Sequence, residues 1–507
     1  RASPSTASIL SPYPDPMHLR LLVIAVLLAA APLALAQETR TISFDEAVRI
    51  ALDQNVRLQQ AELTTRSADL DVSRQRAQMF LPNISASMRP SQQYGLAFNQ
   101  TTGQLENETT NVFSADISGS VNVFNGFADQ AGLAAARLRA RSGALSEERT
   151  RQDIVFEVAS RYLQVLLDEQ LVAIQEEAVE AERVQVERIQ SLVDAGARPA
   201  VDVLRQEALA AERELGLLRA QNAATVSATQ LVQTLQLDPF GTYTFSAPPL
   251  EALEATFETF DLDELLRGAL DARDDLRAQE LEIEALGQDI KQARAGYLPS
   301  VVLFAGYGSS YASSAQQVAT DAEGNTIVLD PGTTVTTSGG DIVQIDGDPF
   351  IVGTQFAFED TPFSDQFFDT NRGGNIGFSV NIPIFDRFQT RTQVQQAQIR
   401  ASNARLTLES LEQSVALEVR QAYLDYQNAA RALDVSAVQV ESAEAALSVE
   451  QERYEFGAST FADLAQARAA AVQAQSDRAQ AIYTFFFRRR LLDYALGALD
   501  FTQPLFE

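Results

Sequence analysis

Apolar residues along this chain recur with two different periods. Ile84, Ala86 and Met88 alternate with polar Asn83, Ser85 and Ser87. Phe113, Ala115, Ile117, Val121 and Val123 alternate with Ser114, Asp116, Ser118, Ser120 and Asn122. Val301, Leu303, Ala305 and Tyr307 mark one face of a third such stretch, and Ile376, Phe378, Val380, Ile382 and Ile384 one face of a fourth. A period of two is the signature of a half-buried strand, so the pattern predicts strands over about 82–97, 111–124, 299–311 and 373–385. Strands of ~10 residues with one apolar and one polar face suit a transmembrane barrel. A soluble sheet with one wet face makes the same alternation.

The second period is helical. No proline interrupts Phe127 to Asp194 or Phe388 to Glu455, and Ala, Leu, Glu, Gln and Arg dominate both stretches; these are good helix formers. Val155, Val158, Tyr162 and Val165, and in the other stretch Val415, Val419, Tyr423 and Tyr426, fall at three-four spacing. Such spacing is that of a coiled-coil seam. At 1.5 Å per residue, ~68 residues make a helix roughly 100 Å long, against an average of ~11–12 residues. Each long helix reaches a glycine-centred turn and returns, through about Leu237 and Leu499, as an antiparallel hairpin.

The order of elements occurs twice. Val123-Phe124-Asn125-Gly126-Phe127 answers Ile384-Phe385-Asp386-Arg387-Phe388, and the offset of 261 residues (Tyr162 to Tyr423) carries Leu163 onto Leu424 and Leu231 onto Leu492. Self-similarity at a fixed offset is an internal repeat. The repeats are read as 37–239 and 262–501, with a proline-bearing linker at 240–261. Phe44-Asp45-Glu46-Ala47 and Leu262-Asp263-Glu264-Leu265 open amphipathic helices that end at Leu81-Pro82 and Leu298-Pro299, because the residue before proline leaves helix. Polar loops join the strands, a short one over Asn99 to Thr110 and a long one over Ser313 to Arg372.

Targeting and composition narrow the class. Met17-His18-Leu19-Arg20, the apolar run Leu21 to Leu33 and Ala34-Leu35-Ala36 form a secretory signal over 17–36, with the residues before Met17 read as upstream sequence. The run is shorter than the ~20 residues a membrane helix needs, although an uncleaved anchor is the alternative. No later segment reads as a membrane helix, so any crossing must be made by strands in a closed barrel. The formal net charge of -29 argues against nucleic acid as a partner, since phosphates need Lys and Arg. The chain has no cysteine, and its single histidine, His18, lies in the signal. Histidine and cysteine catalysis and ordinary zinc sites are thereby removed; no cofactor and no metal site is expected. A carboxylate-only enzyme stays formally open, but no acid pair stands out from the many helix acids, and the chain is read as not an enzyme.

Two strands per repeat give four per chain, too few for a barrel of at least ~8 strands. Closure requires several copies, and counting alone allows two, three or four. The ordered motifs carry a resemblance. Phe44-Asp45-Glu46-Ala47 with Ala51-Leu52, the junctions at Pro82 and Pro299, Pro383-Ile384-Phe385-Asp386, and the turns Gly196 to Leu204 and Gly457 to Leu464 resemble the TolC-like outer-membrane efflux protein family over Gln37 to Phe501. The resemblance implies an α+β membrane protein: a homotrimeric 12-stranded transmembrane β-barrel continued by a long periplasmic α-helical coiled-coil barrel. It implies a passive duct in the cell outer membrane, in contact with outer-membrane lipid, working with a periplasmic adaptor protein and an inner-membrane transporter. Small-molecule efflux and type I protein secretion are both compatible, and a soluble periplasmic coiled-coil scaffold is the remaining alternative.

The resemblance also assigns residues. Ala195, Gly196 and Ala197, with Phe456, Gly457 and Ala458, fall at the turns that contact the adaptor in the family, although a glycine there is also an ordinary helix stop. Asp202, Asp463, Tyr454 and Arg198 fall at the periplasmic pore and gate. In a trimer each aspartate becomes a ring of three carboxylates, which attracts cations; the plainer reading is an acid in the first turn of a helix. Ser459 stands where some members have a gate arginine, and Gln466 where some have an aspartate. Tyr162 and Tyr423 are read as packing residues, and Phe124, Phe385, Phe388 and Tyr307 as interfacial aromatics.

Overall fold

A computed structural model describes residues 40–99, 104–246, 257–318, 325–336, 341–344, 346–355 and 358–498. The predicted signal at 17–36 lies outside the described residues, as does part of the predicted linker. In chain order the main elements are β1 (Arg40–Ile42), α1 (Phe44–Gln54), α2 (Val56–Phe80), β2 (Asn83–Asn99), β3 (Gln104–Asn125), α3 (Ala128–Asp194), α4 (Ala200–Thr234), β4 (Tyr243–Phe245), α5 (Leu262–Ala272), α6 (Asp274–Arg294), β5 (Ser300–Ala312), β6 (Gly373–Asn381), α7 (Gln389–Glu455) and α8 (Phe461–Ala495). The described chain divides into two units, one of residues 40–60, 148–273 and 413–498, the other of 61–147 and 274–412.

The second unit holds a four-stranded antiparallel sheet in the order β6-β5-β3-β2. Register fixes its faces, because partners across an antiparallel ladder share a face. Ala86 lies opposite Ile117, and Ile117 opposite Tyr307. Leu303 lies opposite both Val121 and Phe378. This face is apolar, and Ile84, Met88, Ile117, Ile376 and Phe378 are all exposed on it. The other face carries Ser85 with Ser118, whose hydroxyls are 3.1 Å apart, and Ser87, which donates to Asp116 at 2.7 Å. Among the described residues β2 and β6 each have one free edge.

Strand limits differ from the sequence reading at two places. β3 starts at Gln104 and pairs with β2 out to Asn99, so the first polar loop is largely ladder. β6 stops at Asn381 opposite Ser300, two residues before Pro383, which has no N–H to give a ladder. The long loop is also partly paired: Gln316–Val318 with Phe358–Asp360, Asn325–Leu329 with Phe350–Gln355, and Thr334–Thr336 with Ile342–Gln344. Each strand-to-helix turn passes through two left-handed residues, Gly126 and Phe127 before α3 and Arg387 and Phe388 before α7. A left-handed non-glycine residue costs about 1–2 kcal/mol. Edge-to-face ring contacts brace both turns, Phe124 with Phe127 at 5.2 Å and Phe385 with Phe388 at 5.6 Å. Tyr307 sits mid-strand on the apolar face rather than at a strand end. Below the sheet-bearing segments, alanines close the helix contacts: Ala135, Ala285, Ala397 and Ala401 are buried. Arg139 bridges to Asp289 at 2.5 Å and Glu282 at 3.5 Å.

The first unit is helical, with a small parallel pair, β1 with β4, that the sequence reading did not contain. Tyr162 explains its position. The ring is fully buried and packs edge-on against Phe44 and Phe245. Its hydroxyl donates between the carbonyls of Ile42 (2.9 Å) and Ser246 (2.8 Å). Burial pushes the phenol up to about 12, so it stays a donor. The second half solves the same position differently. Tyr423 donates to the Phe260 carbonyl at 2.8 Å, while buried Tyr426 accepts from the Glu258 amide at 3.0 Å and stacks on Phe257. Packing was the expected role for Tyr162 and Tyr423; the structure adds anchoring of the segments beside the helices.

Tyr162→Phe keeps the ring and removes the donor. The expected outcome is a loss of about 1 kcal/mol, the net worth of a typical hydrogen bond. Hydrogen exchange should then speed up at Ile42 and Phe245 while protection in α3 stays unchanged. Unaltered exchange in the strand pair would contradict the anchoring role.

Candidate functional site at the helix turns

The two turns that end α3 and α7 share one backbone motif. Ala197 N donates to Leu192 O at 2.8 Å and Gly196 N to Val193 O at 2.9 Å. Ala458 N donates to Arg453 O at 2.8 Å and Gly457 N to Tyr454 O at 3.1 Å. This is the helix-ending pattern that satisfies the last free carbonyls with one left-handed residue. Gly196 and Gly457 supply it, at φ 72° and 70°. No atom would crowd a Cβ at either position, so conformation and not space requires glycine. Ala195, Gly196 and Ala197 are exposed, as are Phe456, Gly457 and Ala458. Phe456 is 88% exposed, an apolar ring presented to solvent.

Beyond the shared motif the turns differ. Helix α4 begins after Pro199, which gives no side-chain cap. Asp202 in its first turn is only 8% exposed. Arg205 lies 3.6 Å from its carboxylate and Arg198 4.0 Å. The Arg198 guanidinium also lies over the Tyr454 ring, 4.5 Å from its centre. Arg198 therefore brings Asp202 and Tyr454, from different hairpins, into one cluster. The Tyr454 hydroxyl and the Ser459 hydroxyl are buried without a hydrogen-bond partner among the described residues. Arg188 adds a second link between hairpins, 3.0 Å from Glu455.

Asp463 is exposed and stands apart from that cluster. It closes a capping box at the start of α8: its amide donates to the Thr460 hydroxyl oxygen at 3.3 Å, and its carboxylate accepts from Thr460 N at 3.0 Å and Thr460 Oγ1 at 2.6 Å. Those hydrogen bonds hold the carboxyl below its ordinary value. The two aspartates match in repeat position but not in environment. The Thr460-Phe461-Ala462-Asp463 order is a capping-box signature legible in sequence. The Arg205 partner is legible too, at a three-residue helical spacing. A buried set deeper in the first unit had no such signal: Glu182 accepts from Gln206 and lies 3.4 Å from Arg468.

Among the described residues no group of three or more His, Cys, Asp or Glu is arranged to hold a metal ion, and no helix is long and apolar enough to cross a membrane. The chemistry the turns offer is charge and apolar contact rather than bond-making.

A sheet with an exposed apolar face, paired with very long helical hairpins, defines a class of outer membrane channel. Residues 47–235 and 265–498 match the family described as outer membrane efflux protein, most of the chain, and the chain belongs to that family. It is 29% identical to the outer membrane protein TolC of Salmonella enteritidis over 136 residues, 27% of this chain and 28% of that protein. TolC of Escherichia coli (strain K12) matches with the same identity and coverage. The matched region thus spans little more than a quarter of those relatives. The solved structure of CusC aligns with a TM-score of 0.70 at 17% identity, covering 90% of this chain and 92% of that one. The outer membrane protein VceC of Vibrio cholerae aligns at 0.68 and 16%, covering 90% and 96%. The MtrE outer membrane channel of Neisseria gonorrhoeae aligns at 0.67 and 17%, covering 90% and 88%. The fold is shared with these channels, and the family is one of outer membrane channels with a periplasmic helical extension, not of enzymes.

The Asp463 cap makes a pH prediction. A carboxyl held low in the folded state stabilises above its unfolded value and loses that stabilisation as pH falls through the lower, folded value. The first-turn amides of α8 should keep their exchange protection at neutral and mildly acid pH and lose it only below the ordinary carboxylate range. Thr460→Ala should remove the protection at neutral pH. Equal exchange in both proteins at neutral pH would show that the box contributes nothing.

Proposed function

We propose that the protein is the outer-membrane duct of a tripartite export system. Three chains each contribute β2, β3, β5 and β6, and three times four strands closes a twelve-stranded barrel. The hairpins of the two repeats, 37–239 and 262–501, continue it as a periplasmic helical barrel. The observation that carries this reading is the four-stranded sheet itself, apolar and exposed on one face and open at both edges. In hydrocarbon each unpaired backbone group costs several kcal/mol, so a spanning sheet must close. Export is passive in this subunit: an inner-membrane transporter supplies the energy, and a periplasmic adaptor joins it to the turns at Ala195–Ala197 and Phe456–Ala458. The cargo is a small molecule or a secreted protein. Segment 17–36 directs the chain across the inner membrane.

The chain lacks cysteine, which makes closure directly testable. Cysteines are introduced in pairs along β2 and β6, one on each strand. Oxidation should give covalent dimers and trimers on a non-reducing gel for pairs in register across the protomer boundary, and single cysteines should give monomers. Only monomers across the whole series would reject the closed trimer.

The pore assignment yields a ranking. Asp202 is offset by Arg198 and Arg205, whereas Asp463 is exposed and held ionised by its cap. A ring of exposed carboxylates attracts cations. In planar bilayers Asp463→Asn should reduce cation preference more than Asp202→Asn, and the double variant should reduce it most. Arg198→Ala should raise cation preference by freeing Asp202, and should raise the open probability by releasing Tyr454. Selectivity unchanged in all four variants would remove the turns from the conducting path.

A further inference from the structure

The predicted long loop ends in a structure that the duct reading does not use. After Pro362 the chain makes two short helical turns, Phe363–Asp365 and Gln366–Thr370, before β6 begins. β5 runs past its last β6 partner at Gly308 and continues to Ala312. The turns occupy that open edge. Gln366 is buried, and its amide is fully used: Oε1 accepts from Ala312 N at 3.0 Å, and Nε2 donates to Ala312 O at 3.0 Å and Thr361 O at 2.7 Å. Ser309 Oγ donates to Phe367 O at 2.6 Å, and Asn371 Nδ2 to Ser310 O at 2.7 Å. Backbone that would be an exposed edge is covered instead.

This strap carries rings onto one chosen face. Phe363 packs against Tyr311 at 5.1 Å and Phe113 at 6.0 Å, and Phe367 packs against Phe113 at 5.4 Å. Phe113 and Tyr311 are register partners, and alternation puts them on the face of Ile117 and Tyr307, the apolar face. Phe363 and Phe368 stay 42% and 62% exposed at the rim of that face. Asp365 and Asp369 flank the rings, and Asp369 pairs with Arg372 at 3.1 Å. The result is an aromatic body with a charged rim at one end of the strands.

Spacing gives the rings a place. At the other end of β5, Phe124 lies opposite Val301 because a register shift after Asn122 turns it there. From Val301 to Tyr311 is ten residue steps, roughly 33 Å along a strand at ~3.3 Å per residue. With a strand tilt of about 40° that is roughly 25 Å across a membrane, the height of the apolar band that aromatic girdles bound in outer-membrane barrels. We infer that the strap at 362–371 is a membrane-interface anchor. Phe363 and Phe368 sit at the headgroup–acyl boundary of the outer leaflet and form the outer girdle, opposite the inner girdle at Phe124, Phe127, Phe385 and Phe388. The inference rests on the barrel reading and adds that the insertion fixes the depth of the barrel in the lipid.

The chain has no tryptophan, so one introduced indole reports alone. The full-length protein is purified as Phe368→Trp, Phe363→Trp or Ile117→Trp and placed in phosphatidylcholine vesicles brominated either near the glycerol end of the acyl chains or near the bilayer centre. Ile117 lies near the middle of the Val301-to-Tyr311 span. Its indole should be quenched most by the central bromines. Phe368→Trp and Phe363→Trp should emit at shorter wavelength than a water-exposed indole and be quenched most by the shallow bromines. If Ile117→Trp is quenched and both strap variants are not, the strap faces water or a neighbouring protomer and the inference is overturned. Strap indoles quenched most by the central bromines overturn it equally. An unquenched Ile117→Trp defeats the membrane-sheet reading itself and the inference with it. The two strap positions guard against one variant that fails to assemble.

Discussion

The constraint on which the rest depends is the hydrogen-bonding demand of backbone in lipid. A strand that crosses hydrocarbon must pair on both sides, since no water is there to satisfy an open edge. Four strands from one chain leave two edges open. The apolar face, with Ile84, Met88, Ile376 and Phe378 exposed, has no partner among the described residues either. The proposed ring of copies in a bilayer would remedy both deficits at once. The same demand explains the strap at 362–371, which gives β5 partners where β6 has ended, through the side chain of Gln366 rather than another strand.

Helical hairpins meet a different demand. Their carbonyls are satisfied along the helix, and only the ends need help. Both turns use one glycine and the same pair of backbone bonds. The helix starts that follow diverge, because Pro199 cannot cap and Thr460 can. Without a cap, Asp202 is drawn to Arg198 and Arg205; with one, Asp463 is consumed locally. A single residue before each helix thus decides whether the aspartate three residues on caps the helix or pairs with the arginines beside it.

Much of this was legible in the chain. Period-two alternation located all four strands, because a side-chain period of two cannot be mistaken over that length. Unbroken runs of strong helix formers gave the long helices nearly to the residue: α3 starts at Ala128 where the reading began at Phe127, and α7 at Gln389 where it began at Phe388. Three features were not legible. β1 and β4 are three residues each and pair across some two hundred positions, too short for any periodicity. Tyr162 read correctly as buried, but nothing in its spacing showed which carbonyls its hydroxyl would meet. The pairing inside 313–372 was hidden because its strands are only three to six residues long, too short to show a period. The capping box at Thr460 and the Asp202–Arg205 spacing are legible in the sequence as local helix signals.

Matching repeats is informative about backbone and misleading about chemistry. A duplicated segment must keep the dihedral angles its turn requires, so glycine persists at both turns. Side chains beside the turn carry no such obligation. Arg198 has Ser459 as its counterpart, and the one reaches Tyr454 while the other is buried without a partner. In the proposed trimer the two kinds of turn would alternate around the ring. Arg198 and Arg188 reach the second hairpin from the first, and Arg468 reaches Glu182 of the first from the second, so the links run both ways. A motion that parts the turns breaks the contact of Arg198 with the Tyr454 ring and the Arg188–Glu455 ion pair, at neighbouring positions of α7. Exposed ion pairs are individually weak, about 0–1 kcal/mol, and a cation over a ring adds about 0.5–2 kcal/mol depending on its desolvation. The sum is large enough to favour one arrangement and small enough for binding of a partner to overcome, as the proposed passive conduit would require.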